Sequence, residues 1–288
     1  MPSSSSAPGI IRPARRPDGW CAPGEPPRGA GGEASLVPGE GEDLCHLLGD
    51  WRIFQKLGGH RWSLDDLLTG WIAWRAVRER PPARALDLGT GIGSVLMMTA
   101  WHFPGAEIVG VEAQDVSVDL ARRSIRYNGV DDRVTVHHGD LRDLDGEGAF
   151  ELVTGTPPYF VPGKGSQSEA VQKGPCRFEH RGGVDDYVAA AARAVSPGGT
   201  VVLCHAARQR ERLLGAADHA GWIPLIVCDV AGRVGKPPLV TAAAFRVPPR
   251  SSSDRASTEA FAVRGRDLQW TAAFAQLRRD MGMPDTPR

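Results

Sequence analysis

Asp87-Leu88-Gly89-Thr90-Gly91-Ile92-Gly93 is the stretch on which the reading of the fold turns. An apolar lead, Ala83 to Leu86, runs into it, and an apolar-rich segment from Ile92 to about Phe103 runs out of it. That order reads as strand, glycine turn, helix, the layout of a nucleotide-type site. Glycines in such a turn let the backbone approach a ligand where a side chain would clash. The spacing here is Gly-x-Gly-x-Gly, and Ser94 stands where a dinucleotide fingerprint would place its third glycine.

Outward from this turn the chain alternates. Strand-like runs occur at 83–88, 106–112, 133–139, 150–155, 200–205, 223–229 and 239–247, and helical patterns at 92–102, 116–127, 184–195 and 208–220 separate most of them. Near-continuous apolar strands alternating with helices predict an α/β fold, a doubly wound, mostly parallel seven-stranded sheet covered on both faces. The link from Gly232 to Pro238 is too short for a crossover, so one antiparallel strand is expected at the end of the sheet. Before the sheet, Leu64, Leu67, Leu68, Trp71, Ile72 and Trp74 recur at helical spacing, with Ser63 as the N-cap.

The 288 residues suit one large α/β domain. Residues 1–40, rich in Ser, Pro, Gly and Ala, have the composition of a disordered tail. Residues 41–288 then form the domain: an N-terminal extension (41–80), the core (81–248) and a C-terminal segment (249–288). The 34 basic and 34 acidic residues cancel, so nucleic acid would have to be met by a local patch. Five scattered cysteines without a Cys-x-x-Cys pair fit a reducing compartment and no zinc site. With no apolar segment of signal or membrane-spanning length, and with prolines interrupting the Arg12–Arg16 region against a transit peptide, a soluble cytoplasmic protein with no membrane and no metal is expected.

In a doubly wound sheet, ligands sit beyond the carboxyl ends of the strands. Asp87, Glu112, Asp140 and Thr156–Tyr159 all fall there. Glu112 lies 25 positions after Asp87, near the interval at which an acid grips ribose hydroxyls. Asp140, in His137-His138-Gly139-Asp140, can accept a hydrogen bond from an adenine amino group. Each acid alone is as readily a helix cap. Three at successive strand ends favour a cofactor, and an acid before the first glycine suits a cationic amino-acid end better than a pyrophosphate. The expected cofactor is S-adenosylmethionine, held by Asp87, Gly89, Gly91, Gly93, Glu112 and Asp140.

With Asp-x-Gly-x-Gly-x-Gly, the second-strand acid, the Gly139-Asp140 pair and Thr156-Pro157-Pro158-Tyr159, the chain resembles class I methyltransferases of the Asn-Pro-Pro-Tyr type, which methylate amines conjugated to a ring or carbonyl. Gln55-Lys56 with Arg61-Trp62-Ser63-Leu64-Asp65-Asp66-Leu67-Leu68, Arg177-Phe178-Glu179, and Val263-Arg264-Gly265-Arg266-Asp267 with Trp270-Thr271 narrow the resemblance. They are similar to bacterial tRNA adenine N(6)-methyltransferases acting beside the anticodon of a valine tRNA, over about residues 50 to 282. The resemblance implies catalytic roles for Thr156, Pro157 and Tyr159, and substrate contacts from Pro158, Phe160 and Arg177. Thr156 departs from the family's Asn or Asp, whose side-chain oxygen accepts a hydrogen bond from the target amine. The Pro157 carbonyl can supply one acceptor and the Thr156 hydroxyl a second. Tyr159 would stack on the base.

Other groups have plainer readings. Trp62, Trp71 and Trp74 read as core, His137 and His138 lack ligand partners, and Cys176 and Cys204 are small apolar residues. The segment from Phe160 to Gly183 carries Lys164, Lys173, Arg177, His180 and Arg181, a basic loop beside the site or a solvated lid. The expectation is an RNA substrate, tRNA first. Methylation of a protein glutamine amide, an rRNA guanine or a small molecule is the alternative chemistry, and a non-catalytic cofactor-binding scaffold the alternative class. The sequence leaves the oligomeric state open.

Overall fold

A computed structural model describes residues 9–144, 149–159, 182–249 and 256–285. In chain order the elements begin with strands β1 (Ile10–Ile11), β2 (Glu42–His46) and β3 (Arg52–Lys56), then helix α1 (Leu64–Val77), β4 (Arg84–Leu88) and α2 (Ser94–His102). There follow β5 (Glu107–Glu112), α3 (Asp115–Asn128), β6 (Val134–His138), β7 (Phe150–Gly155), α4 (Val184–Ala194) and β8 (Val195–Ala206). The chain ends with α5 (Arg210–His219), β9 (Ile223–Arg233), β10 (Pro238–Arg246), β11 (Ser257–Arg264) and α6 (Ala272–Asp280).

The main sheet runs β11-β9-β10-β8-β7-β4-β5-β6. All its pairings are parallel except those of β10, which is antiparallel to both β8 and β9. The doubly wound, mostly parallel sheet with one antiparallel strand is therefore present, but it has eight strands rather than seven. β11 escaped the sequence reading because it starts Ser257-Thr258-Glu259 and buries little beyond Ala262. As an outer strand with one neighbour it needs no continuous apolar run.

Two apolar layers cover the sheet. One packs Leu68 and Ile72 of α1, Leu96 and Met97 of α2, Leu120 of α3 and Leu277 of α6 against one face; the other packs Val188 and Ala191 of α4 and Leu213 of α5 against the opposite face. Helix ends follow local chemistry: α3 stops at Gly129, whose φ of +73° closes the turn. In α1 the Ser63 N–H donates to Asp66 Oδ2 at 2.8 Å, one arm of a capping box.

The tail is a second correction. From Gly9 onward the segment is laid along the domain: β1 pairs with β2, and β2 with β3, in a separate three-stranded sheet. Trp51 Nε1 donates to the Glu25 carbonyl at 3.0 Å, the Gly29 N–H to the Tyr127 carbonyl at 2.9 Å, and Arg123 to the Ser35 and Val37 carbonyls at 2.7 and 3.1 Å. Its composition builds no core of its own. The segment is held instead by polar groups on β3 and α3 that composition alone does not reveal.

Candidate active site

The carboxyl ends of β4, β5, β6 and β7 open into one cavity of about 570 Å³, closed on one side by the segment from Gly59 to Asp66. Gly89, Gly91, Glu112, Asp140, Thr156, Pro157, Pro158 and Tyr159 all line it, so the structure brings most of the sequence-predicted residues together. Asp87 and Gly93 lie outside the lining. Phe160 and Arg177 lie outside the described residues.

The glycine loop is set by backbone bonds and by Glu112. Thr90 N–H donates to the Val111 carbonyl at 3.0 Å and Gly93 N–H to the Thr90 carbonyl at 2.9 Å. Glu112, buried at the end of β5, accepts from Gly91 N–H through Oε2 (2.9 Å) and from Gln114 N–H through Oε1 (2.8 Å). Gly91 has φ +56°, and a Cβ built there would meet no protein atom within 4 Å. It would project into space that a ligand can take, so this is a cradle for a close-lying small molecule. Glu112 also lines the cavity, where its carboxylate is an acceptor-only group of the kind that binds hydroxyls.

Asp87 supports this loop from beneath. It is buried, its Oδ2 accepting from Thr90 Oγ1 at 2.5 Å and its Oδ1 from Thr154 Oγ1 at 2.7 Å. Burial pushes its carboxyl up to about 6, against the pull of the Thr90 and Thr154 hydroxyls. Gly93 (φ +89°) serves packing, since a Cβ there would stand 3.2 Å from Ala121 Cβ of α3. Asp140 closes β6, and Arg142 binds both of its oxygens (2.9 Å from Nε to Oδ1, 2.6 Å from Nη2 to Oδ2).

Two acids at the start of α1, Asp65 and Asp66, carry tertiary roles that their sequence motif does not announce. Asp66 accepts from Ser63 N–H and, through Oδ1, from Ser94 Oγ at 2.8 Å, tying α1 to the first turn of α2; burial holds its carboxyl above the usual range. Asp65 Oδ2 accepts from the Tyr159 phenol at 2.7 Å. The signal for Asp66 was the Ser63-x-x-Asp66 capping spacing. Nothing local announces that Asp65 reaches across to residue 159.

The Thr156–Tyr159 turn follows β7 directly. Its far end is fixed by Gln209 Nε2 and Arg208 Nη2, which donate to the Tyr159 carbonyl at 2.8 and 3.2 Å. The Tyr159 ring lies 5.3 Å from that of His205 at 32°, and burial raises its phenol well above the ordinary value. Among the described residues no hydrogen bond engages Thr156 Oγ1 or the Pro157 carbonyl. Tyr187 of α4 also lines the cavity: a Cβ on Gly89 would strike its Oη, and one on Gly155 would fall 2.8 Å from its Cδ1.

The lining thus combines a glycine cradle, four acids (Asp65, Asp66, Glu112 and Asp140) and a proline-stiffened turn with spare acceptors. That donor set fits S-adenosylmethionine, which carries positive charge at the sulfonium and the amino group and hydroxyls on the ribose. No group of His, Cys, Asp and Glu suited to a metal occurs among the described residues, and none of their helices is long and apolar enough to cross a membrane.

Residues 85–167 match the family described as a methyltransferase domain. The tRNA1(Val) (adenine(37)-N6)-methyltransferase of Vibrio campbellii is 32% identical over 115 residues, 40% of this chain and 46% of that protein. The release factor glutamine methyltransferase of Geobacter sulfurreducens is 31% identical over 183 residues, 57% of this chain and 63% of that protein. The chain thus spans less than two thirds of the length of either relative. Among solved structures, a predicted O-methyltransferase of Agrobacterium tumefaciens superposes with a TM-score of 0.57 at 17% identity, covering 76% of this chain and 98% of that one, a likeness of fold. Residues 85–167 thus carry the sequence of a methyltransferase domain, set in a fold that the Agrobacterium protein shares.

Proposed function

We propose that the protein transfers a methyl group to the exocyclic amine of an exposed adenine in RNA, with tRNA as the first substrate to test. One observation carries the reading: the glycine cradle and the Thr156–Tyr159 turn face one cavity, with Thr156 Oγ1 and the Pro157 carbonyl both unengaged among the described residues. A conjugated amine is a poor nucleophile because its lone pair is delocalised into the ring. Two acceptors on its two protons favour pyramidalisation and so stabilise the transition state more than the ground state. The cofactor, when bound, supplies an electrophilic methyl on sulfur. The Thr156 hydroxyl and the Pro157 carbonyl would hold the two amine protons while that methyl is offered, and the surplus proton would pass to water.

The residues of this chain bind and orient. Gly89 and Gly91 admit the cofactor, Glu112 holds its ribose, and Asp140 stands at the adenine end. Tyr159, fixed by Asp65, offers its ring to the base. Holding the reactants in line supplies most of the acceleration. A base presented this way has to leave its stack, at least cost in a loop.

The same acceptor pair suits a glutamine amide, and the Geobacter relative, matched over the longer stretch, keeps that second reading in play. Incubating the protein with methyl-labelled cofactor and, separately, total tRNA, ribosomal RNA, protein extract and small metabolites decides between them. Label in N6-methyladenine of digested tRNA is the expected result. Label in N5-methylglutamine overturns the RNA reading in favour of the amide, and label nowhere overturns both.

A further inference from the structure

A second cavity, of about 540 Å³, lies between the N-terminal segment, the β2–β3 hairpin and the C-terminal end of α6. Five of its lining residues are arginines (Arg12, Arg15, Arg16, Arg61 and Arg278) and none is acidic. Two carboxylates behind the wall offset part of this charge. Asp43, fully buried, takes Arg12 Nε at 2.8 Å and both Arg61 Nη atoms at 3.0 Å, and Asp50 takes Arg16. Even with Asp285 acting on Arg278, the five guanidinium groups outnumber the carboxylates that face them, in a chain whose formal net charge is zero.

The arginines are also held in place. Arg278 lies 4.3 Å over the Trp270 ring and donates to the Pro284 carbonyl at 2.5 Å; Arg12 and Arg61 are fixed by one carboxylate. Guanidinium groups pre-positioned this way lose little entropy on meeting a phosphate and bind it through paired N–H donors. Arg15 is exposed and makes no hydrogen bond or ion pair among the described residues. Trp62 adds an aromatic face to the wall. Arg61 lines this cavity and the cofactor cavity alike, so the two adjoin across a single side chain.

We propose that this arginine cavity is a binding site for the phosphodiester backbone of the RNA substrate, holding the strand whose target base enters the neighbouring cofactor cavity. This rests on the reading of the substrate as RNA. The N-terminal segment supplies three of the five arginines, and so takes part in forming the site. A small positive well beside the active site supplies what the balanced overall charge withholds, since a field local to the groove is enough to retain a polyanion.

The test uses the full chain, unfractionated tRNA and fluorescence anisotropy from 0.05 to 0.3 M salt, with cofactor affinity measured by calorimetry in parallel. Arg15→Lys is expected to bind like the unmodified protein. Arg15→Glu should bind about tenfold more weakly and reduce the slope of log affinity against log salt by about one phosphate's worth, with cofactor affinity unchanged. Arg278→Gln, from the opposite wall, should reduce the slope as well. Salt-sensitive binding that neither Arg15→Glu nor Arg278→Gln alters overturns this site and leaves the RNA reading standing. An equal loss of cofactor affinity in Arg15→Glu overturns it too, as a general structural effect. Absence of any salt-sensitive tRNA binding by the unmodified protein overturns the site and the RNA reading together.

Discussion

Asp65, in the first turn of α1, holds the phenol of Tyr159, 94 residues further along the chain, through a 2.7 Å hydrogen bond to Oδ2. The ring proposed to meet the substrate base is therefore aimed by the segment that closes the cavity. Asp65→Ala should leave Tyr159 free to rotate. A hydrogen bond to a charged acceptor at this half-buried position is worth about 1.5 kcal/mol, so kcat/KM should fall about tenfold while cofactor affinity stays within twofold. Steady-state kinetics with calorimetry tests this. Tyr159→Phe, which keeps the ring and loses the bond, should behave the same way, and a wild-type rate in both variants would show that the contact does not aim the ring.

Gly89 and Gly91 should respond differently to the same added methyl group. At Gly91 the Cβ meets no protein atom, so alanine costs only the strain of a positive φ, about 1 kcal/mol, while filling the cradle. At Gly89 the Cβ would strike the Tyr187 hydroxyl. We expect Gly91→Ala to melt close to wild type and bind S-adenosylmethionine at least tenfold more weakly, and Gly89→Ala to lose several degrees of Tm. Thermal melts beside titration calorimetry separate the two; equal affinity for wild type and Gly91→Ala would remove the cradle.

Thr156 is the sharpest chemical probe. Thr156→Val keeps the shape and removes the acceptor, and a bond made in the transition state is worth roughly 2.7–4 kcal/mol, a hundredfold to a thousandfold in kcat. Cofactor affinity should not change. Thr156→Asn should retain or raise activity on adenine. Full turnover by Thr156→Val, measured under single-turnover conditions, would mean the amine is held elsewhere.

Asp87 predicts a pH dependence of stability. Its carboxyl titrates at about 6 in the fold against an ordinary 3.8, so the folded chain binds the proton more tightly than the unfolded one. Above pH 6 the buried charge weakens the fold, by up to about 3 kcal/mol; that penalty fades as pH falls from 6 towards 4. Asp87→Asn should therefore raise Tm most at pH 7–8, and the gain should shrink towards pH 4. A gain of equal size across that range in thermal melts would rule out titration of Asp87 as its source.

Deleting residues 1–40 should destabilise the domain. Trp51, Tyr127 and Arg123 would each lose partners in the segment, and at about 1 kcal/mol per bond the four contacts correspond to a Tm lower by about 10 °C. A truncated chain melting with the full-length one in scanning calorimetry would return the segment to the status of a tail.

The central part of this architecture is legible in the sequence because buried parallel strands must be apolar throughout, and the glycine loop has few alternatives to its backbone path. Phe150–Gly155 falls where its pattern puts it. The N-terminal segment was not legible, because it is held by carbonyls reaching Arg123 and Trp51 and by ion pairs such as Arg12–Asp43 and Arg16–Asp50, and neither a backbone acceptor nor the distant partner of a charge is marked in a sequence. Asp87 illustrates a subtler gap. An acid beside a glycine loop reads as a ligand contact, whereas here its two oxygens accept from Thr90 in the loop itself and from Thr154 on β7. Thr154 carries no motif that would have predicted it.

Tyr187 comes from α4, yet its ring abuts Gly89 at the end of β4 and Gly155 at the end of β7, neighbouring strands paired at Leu88 and Gly155. It is wedged between the glycine loop and the residue before the Thr156 turn, and lines the same cavity as both. Both glycines leave room for its bulk, and Gly155, the last residue of β7, directly precedes the Thr156 turn. The approach of these two strand ends is consequently set in part by one phenol ring, supplied by a helix on the far side of the sheet from α1.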